Sequence, residues 1–242
     1  MPGTLPTPKT FPSNLNLTII PPPASHPATN VLILLHGLGD THASFTNLAR
    51  QLSLPETACL SLQAPTPLPF DLGGFHWGDD IIFDQASGNM DFDTGFNKSI
   101  RIIKEDVIQK GLVEKCGYKP REITLFGFGQ GGMAALAATS SLPKELGGVI
   151  SLGGPLPLSV STIAAGKAKT PVLVLGRSSN TLITPSAITR LKTVFETVDY
   201  KQWKKSDDDM PTNREEMLPI MRFFARRLTS RRGVPEGSVE IG

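Results

Sequence analysis

The stretch Ile123 to Ala138, ITLFGFGQGGMAALAA, restricts the fold of this chain more than any other. Ile123 to Phe126 reads as a strand, and Met133 to Thr139 reads as the beginning of a helix. Between them lie Gly127, Gly129, Gly131 and Gly132. Glycines at such a turn let a helix pack back closely on the strand it follows, the joint from which parallel sheets with crossover helices are built.

The rest of the chain repeats that alternation. LNLTII, NVLILL and ACLSLQAP read as strands and GGVISLGG and PVLVLG as buried strands; Leu32 to Leu35 is continuously apolar, as a strand covered on both faces would be, and TVDYKQW alternates like a late strand. Phe96, Ile100, Ile103 and Val107 recur at helical spacing. Thr184-Pro185 has the form of an N-cap followed by proline at the first helical position, and Ile188, Leu191 and Phe195 form that helix's buried face. Asn213 to Glu216 has a capping-box pattern ahead of Met217, Ile220, Met221, Phe224 and Leu228. Pro219 predicts a kink there. Strands alternating with helices predict a mostly parallel central sheet with helices on both faces. The expected organisation is a flexible, Pro-rich N-terminal arm over residues 1–14, one α/β domain over 15–229 and a polar, frayed C-terminal tail over 230–242. Asp71 to Gly95, Gly-rich, aromatic and acidic, is too long for a simple connection, and loops of that length in compact domains are often functional.

Composition narrows the function classes. The chain has 242 residues, enough for one α/β domain with a sizeable core. A net charge of +2, with basic residues scattered, argues against nucleic acid as a partner. No apolar run approaches the roughly 20 residues of a membrane span. The first residues have no apolar core of the secretory kind. The two cysteines, Cys59 and Cys116, lie in no metal or redox spacing. The expectation is therefore a cytoplasmic protein with no metal and no cofactor.

The glycine turn has three competing readings. A Walker loop is excluded because no Gly-Lys-Ser/Thr follows. Gly127, Gly129 and Gly132 match G-x-G-x-x-G, but no acidic residue closes a following strand about 20 residues on, so a dinucleotide fold is disfavoured. The third is the frame of a nucleophile elbow, G-x-S-x-G, with Gly129 in the place of the serine.

LILLHGLGDTHASF, QAPTPLP, the W-x-D of Trp77 to Asp79 with Asp80, GFGQGGMAAL and GGVISLGGPLPL occur in that order. Together they resemble the acyl-protein thioesterase and carboxylesterase family of α/β hydrolases. The likeness runs from about Leu15 to Leu228 and implies the α/β-hydrolase fold. It also implies a Ser-Asp-His triad, which needs a nucleophile, a base and an orienting carboxylate. On the matching positions, Gly129 stands at the nucleophile. Asn180, with Ser179 the less favoured alternative, stands at the acid, and Leu175 replaces a family histidine. Trp203 to Asn213, where the base belongs, has no histidine. His26, His36, His42 and His76 all precede the elbow. The resemblance places the backbone N–H donors of an oxyanion hole at Leu38 and Gln130, donors that do not depend on side-chain identity.

Each further residue has a bland reading beside the sharp one. His36 fits a structural imidazole bonded to loop backbone, and Asp40 fits a turn. His42, His76 (the better placed of the two) and Asp209 are the substitute bases if the site has been rewired, against a surface or lid histidine and a solvated acidic turn over Asp207 to Asp209. Phe70, Phe75, Trp77 and Phe83 line an acyl groove or fill the lid's own core. The leading expectation is a homologue of this hydrolase family with an impaired or absent reaction, a pseudoenzyme, binding acyl or ester-type small molecules or an acylated protein. The alternatives are an active ester or thioester hydrolase with a non-standard site, and a scaffold or regulatory protein.

Overall fold

The computed structural model describes residues 3–23, 26–70, 72–83, 90–162, 166–177, 182–205, 209–231 and 233. Seven strands form the main sheet: β1 (Leu17–Ile20), β2 (Asn30–Leu35), β3 (Thr57–Leu62), β8 (Ile123–Phe128), β9 (Gly148–Leu152), β10 (Val172–Arg177) and β11 (Val198–Trp203), in the order β1-β3-β2-β8-β9-β10-β11. Every pairing is parallel except β1 with β3, which brings Leu17 opposite Leu62. Two short ribbons, β4 (Thr66–Pro67) with β5 (Phe75–His76) and β6 (Ile82–Phe83) with β7 (Met90–Asp91), lie in the long insertion after β3.

Alternation along a strand sorts side chains to opposite faces. In β2, Val31, Ile33 and Leu35 enter one core with α2 (Asn97–Arg101) and its continuation, α3 (Gln130–Ser140) and α4 (Pro185–Val194). Leu32 and Leu34 enter the other, with Phe45 of α1 (His42–Leu52) and Ile220, Phe223 and Phe224 of α5 (Arg214–Arg227). Both faces are covered, which is why β2 and β3 are buried along their whole length.

Several expectations are corrected. The N-terminal arm is not loose: Phe11 is buried over Gly111, the Thr4 N–H donates to the Cys116 carbonyl at 2.7 Å, and Lys115 Nζ donates to the Thr10 carbonyl at 2.8 Å. The tail is tied down at its start, where Ser230 Oγ and the Arg231 N–H donate to the Glu56 carboxylate at 2.7 and 2.8 Å. The α2 helix continues over Ile102–Lys115 with π-helical winding, so Ile102, Val107 and Leu112 recur every five residues as one buried line. The α3 helix starts at Gln130, three residues earlier than the sequence suggests. In α5, Phe223 takes the buried place expected for Met221, and the helix runs through Pro219. Its N-cap is as read: Asn213 accepts from the Glu216 N–H at 3.0 Å. The fold is the α/β-hydrolase architecture anticipated from the motifs.

Candidate functional site

The glycine turn sits at the C-terminal end of β8, the edge where α/β sheets place their ligands. Gly129 has φ 50° and ψ −119°, a conformation that only glycine adopts without strain. Its N–H donates to the Leu152 carbonyl at 2.7 Å, and its carbonyl accepts from Met133 in the first turn of α3 at 3.1 Å. A Cβ built on Gly129 meets nothing within 4 Å. The backbone therefore projects position 129 away from its neighbours, and no side chain is there to use the space. Gly131 is the opposite case, because a Cβ there collides with the carbonyls of Leu35 and His36.

Gln130 opens α3, so its backbone N–H is one of the four that lack a partner within the helix. The Leu38 N–H donates to no group among the described residues. The loop carrying Leu38 is held by the insertion after β3: Gly39 N–H donates to the Phe75 carbonyl and Phe75 N–H to the Asp40 carbonyl, both at 3.0 Å. The Gln130 side chain fixes the same insertion from the other side. Its Oε1 accepts from the Trp77 N–H at 2.7 Å, and its Nε2 donates to the Phe92 carbonyl at 3.1 Å. Asp79 then caps α2, accepting from the N–H groups of Asn97 and Lys98 at 2.9 Å each. Thr94 Oγ1 donates to the Asp80 carbonyl at 2.6 Å. Residues 72–82 and 90–95 are in this way a bonded frame around the elbow, and Gln130 and Asp79, whose side chains build it, were not singled out for that role by the sequence.

The histidines divide by environment. His36 is fully buried. Its Nε2 accepts from the Ala64 N–H at 3.0 Å, so Nδ1 carries the proton and donates to the Gly37 carbonyl at 2.7 Å. Burial lowers its pKa below the ordinary value, and the ring is a neutral structural part. His42 Nδ1 pairs with Gln63 Oε1 at 2.8 Å. His76 is buried in β5 beside Asp80 and Lys98. Burial again lowers its pKa, against the opposing pull of Asp80, and its Nδ1 has no hydrogen-bond partner among the described residues. No hydrogen bond among the described residues links the rings of His42 or His76 to Gly129.

The other named residues are dispersed. Asp209 is exposed on the chain leading to α5. Asn180, with Ser178, Ser179, Asp207 and Asp208, lies outside the described residues, as does the side chain of Phe83. Phe70 is 89% exposed, with φ 59°. Phe75 packs against the core. Trp77 is wholly buried, and its indole N–H donates to the His36 carbonyl at 2.8 Å, so it belongs to the core and not to a groove wall. A different cavity lies next to the elbow, about 390 Å³ in volume, with Phe128, Leu48, Met210 and Met217 on its apolar side and Asp40 and Ser44 at its polar side. Its walls come from α1, the end of β8 and the approach to α5, segments far apart in the chain. Among the described residues no group of three or more His, Cys, Asp or Glu side chains is placed to hold a metal ion. No described helix is long and apolar enough to cross a membrane.

Comparison with known proteins agrees with this architecture. A family model described as phospholipase/carboxylesterase matches residues 4–227. An uncharacterized hydrolase of Schizosaccharomyces pombe is 34% identical over 206 residues, covering 82% of this chain and 83% of that protein. Acyl-protein thioesterase 1 of Kluyveromyces lactis is 29% identical over 224 residues, covering 84% and 94%. Among solved structures, esterase PE8 has a TM-score of 0.71 at 21% identity and Zea mays acyl-protein thioesterase 2 has 0.63 at 19%, each covering 88% of this chain and 99% of the other. These structures share the fold.

Proposed function

The chain belongs to the phospholipase/carboxylesterase family of α/β hydrolases, and from that premise we propose that it is a non-hydrolysing member that binds acyl or ester-type ligands. The observation that carries this reading is the backbone at Gly129. The turn has the strained geometry and open Cβ space that a nucleophile needs, with hydrogen there instead of a hydroxymethyl group. Acyl transfer also needs a base, and no histidine follows the elbow in the chain. What supports retained binding is the framework that does not depend on those side chains. The N–H groups of Leu38 and Gln130 are available to a carbonyl or carboxylate oxygen, and the cavity beside Phe128 has an apolar wall suited to an acyl chain.

The test is hydrolysis of a short-chain p-nitrophenyl ester and of an acyl thioester by the full chain, beside its Gln130→Pro variant, with circular dichroism to establish that the variant is folded. Proline at the first helical position removes one oxyanion donor and is compatible with the helix, but it also removes the side-chain bonds to Trp77 and Phe92, so Gln130→Ala, which loses only those bonds, runs beside it. Equal rates in these proteins, with no labelling by a serine-directed phosphonate, are expected. A rate lost in Gln130→Pro overturns the proposal, and His76 and Asp209 are then the bases to replace.

A further inference from the structure

The loops at the C-terminal edge of the sheet expose apolar side chains that the fold does not use. Leu38 follows β2, Phe70, Leu72, Ile82 and Met90 lie in the insertion after β3, and Leu158 follows β9. All these strands are parallel, so the loops after them emerge on one side of the molecule. Hydrogen bonds draw the loops together. The Leu38 loop is bonded to Phe75, the insertion is held through Trp77 and Phe92 to Gln130, and the Leu158 N–H donates to Asp93 Oδ2 at 2.8 Å. At 89% and 77% exposed, Phe70 and Leu158 are far from packed. Apolar side chains gathered in this way mark interaction surfaces.

Charge says what covers them. Among the described residues of the insertion, Asp79, Asp80, Asp91 and Asp93 are acidic and none is lysine or arginine. Among the described residues, Asp79, Asp80, Asp91 and Asp93 form no ion pair within 4 Å. Two cations lie near this face and both are engaged with backbone: Lys98 donates to the Pro65 carbonyl and Thr66 Oγ1, and Arg190, which also acts on Asp93, donates to the carbonyls of Leu156, Leu158 and Val160. Lys204 and Lys205 follow β11 at the far edge of the sheet. With four aspartates against Lys98 and Arg190, such a face favours a cationic partner over an anionic bilayer. A segment that alternates apolar and basic residues matches both of its properties.

We propose that this face docks a basic, apolar segment of a partner protein, with Phe70 and Leu158 as apolar anchors and Asp79, Asp80, Asp91 and Asp93 selecting positive charge. This goes beyond the reading of the elbow and holds whether or not an ester is turned over there.

The experiment titrates the full chain into a fluorescent synthetic peptide of lysines and leucines, and into the same peptide with glutamate for lysine. Vesicles of neutral and of anionic phospholipid serve as further probes, and the Phe70→Ser/Leu158→Ser double variant as the control. Both residues are exposed, so the variant keeps the wild-type melting midpoint. The expected result is binding of the lysine peptide alone, weakened about tenfold in the double variant and weakened again at about 0.5 M salt. Equal binding of both peptides, undiminished binding by the double variant, or no binding of the lysine peptide overturns the proposal. Vesicle binding stronger than peptide binding overturns it in favour of a bilayer. A measurable esterase rate overturns the functional reading alone, and any of these binding failures overturns this one alone.

Discussion

Gln130 accepts the backbone N–H of Trp77 at 2.7 Å across 53 residues of chain, and it is the residue that joins the elbow to the insertion. Its other end donates to Phe92. The Trp77 bond is buried and the Phe92 bond half-buried, so the Trp77 N–H loses a partner it cannot recover from water when the amide is removed. Gln130→Ala is expected to lower stability by about 1–3 kcal/mol, most of it from the Trp77 N–H. Hydrogen exchange at the Trp77 amide is expected to speed up more than exchange in β8. Uniform acceleration in both places would show that Gln130 acts on global stability and not as a local brace.

The glycines of the turn separate backbone strain from steric collision. Gly129→Ser meets no atom but must hold a positive φ, and is expected to cost about 1–3 kcal/mol. Gly131→Ala puts a methyl group into the Leu35 and His36 carbonyls and must move β2 or α3. The expected order of melting midpoints is wild type, then Gly129→Ser, then Gly131→Ala. A Gly129→Ser protein as stable as wild type would contradict the strain reading. The serine alone is not expected to confer ester hydrolysis, because no histidine follows it.

The buried histidines predict an acid-side loss of stability. Burial lowers the pKa of His36 in the folded state, so below about pH 6.5, the ordinary histidine value, the unfolded chain binds a proton that the native chain does not. Stability then falls with falling pH, at up to about 1.4 kcal/mol per pH unit for one proton. His76 has the same sign and adds to the slope. Urea unfolding at pH 7.5 and pH 5.5 measures the loss, and His36→Gln, which cannot titrate, is expected to flatten it. An unchanged slope in that variant would remove His36 as a cause.

Phe11 predicts that the arm is structural. Its ring is buried where a side chain on Gly111 would sit, and Phe11→Ala is expected to cost about 3–5 kcal/mol. Limited proteolysis is expected to release the arm in the variant at protease levels that leave the wild type intact. Equal resistance would show that the arm is held by its hydrogen bonds to the Cys116 carbonyl and Lys115 Nζ instead.

The amino-acid sequence by itself determined the order of strands and helices, because continuous apolar strands, helical spacing and capping residues are local signals. It placed the Thr184 and Asn213 caps and the strand-turn-helix joint at Gly129. It also fixed the chemical identities at the turn, since the presence of glycine at 129 and the absence of any histidine after it need no coordinates. Only the tertiary structure decided what those residues meet. Trp77 is core because the His36 carbonyl and Gln130 reach it from other loops, and Glu56 holds the tail across more than half the chain's length. The cavity beside Phe128 is walled by segments from opposite ends of the domain. Contacts between residues so far apart leave no periodicity or spacing for a sequence reading to find, because they arise only when crossover helices bring the loops to one edge of the sheet.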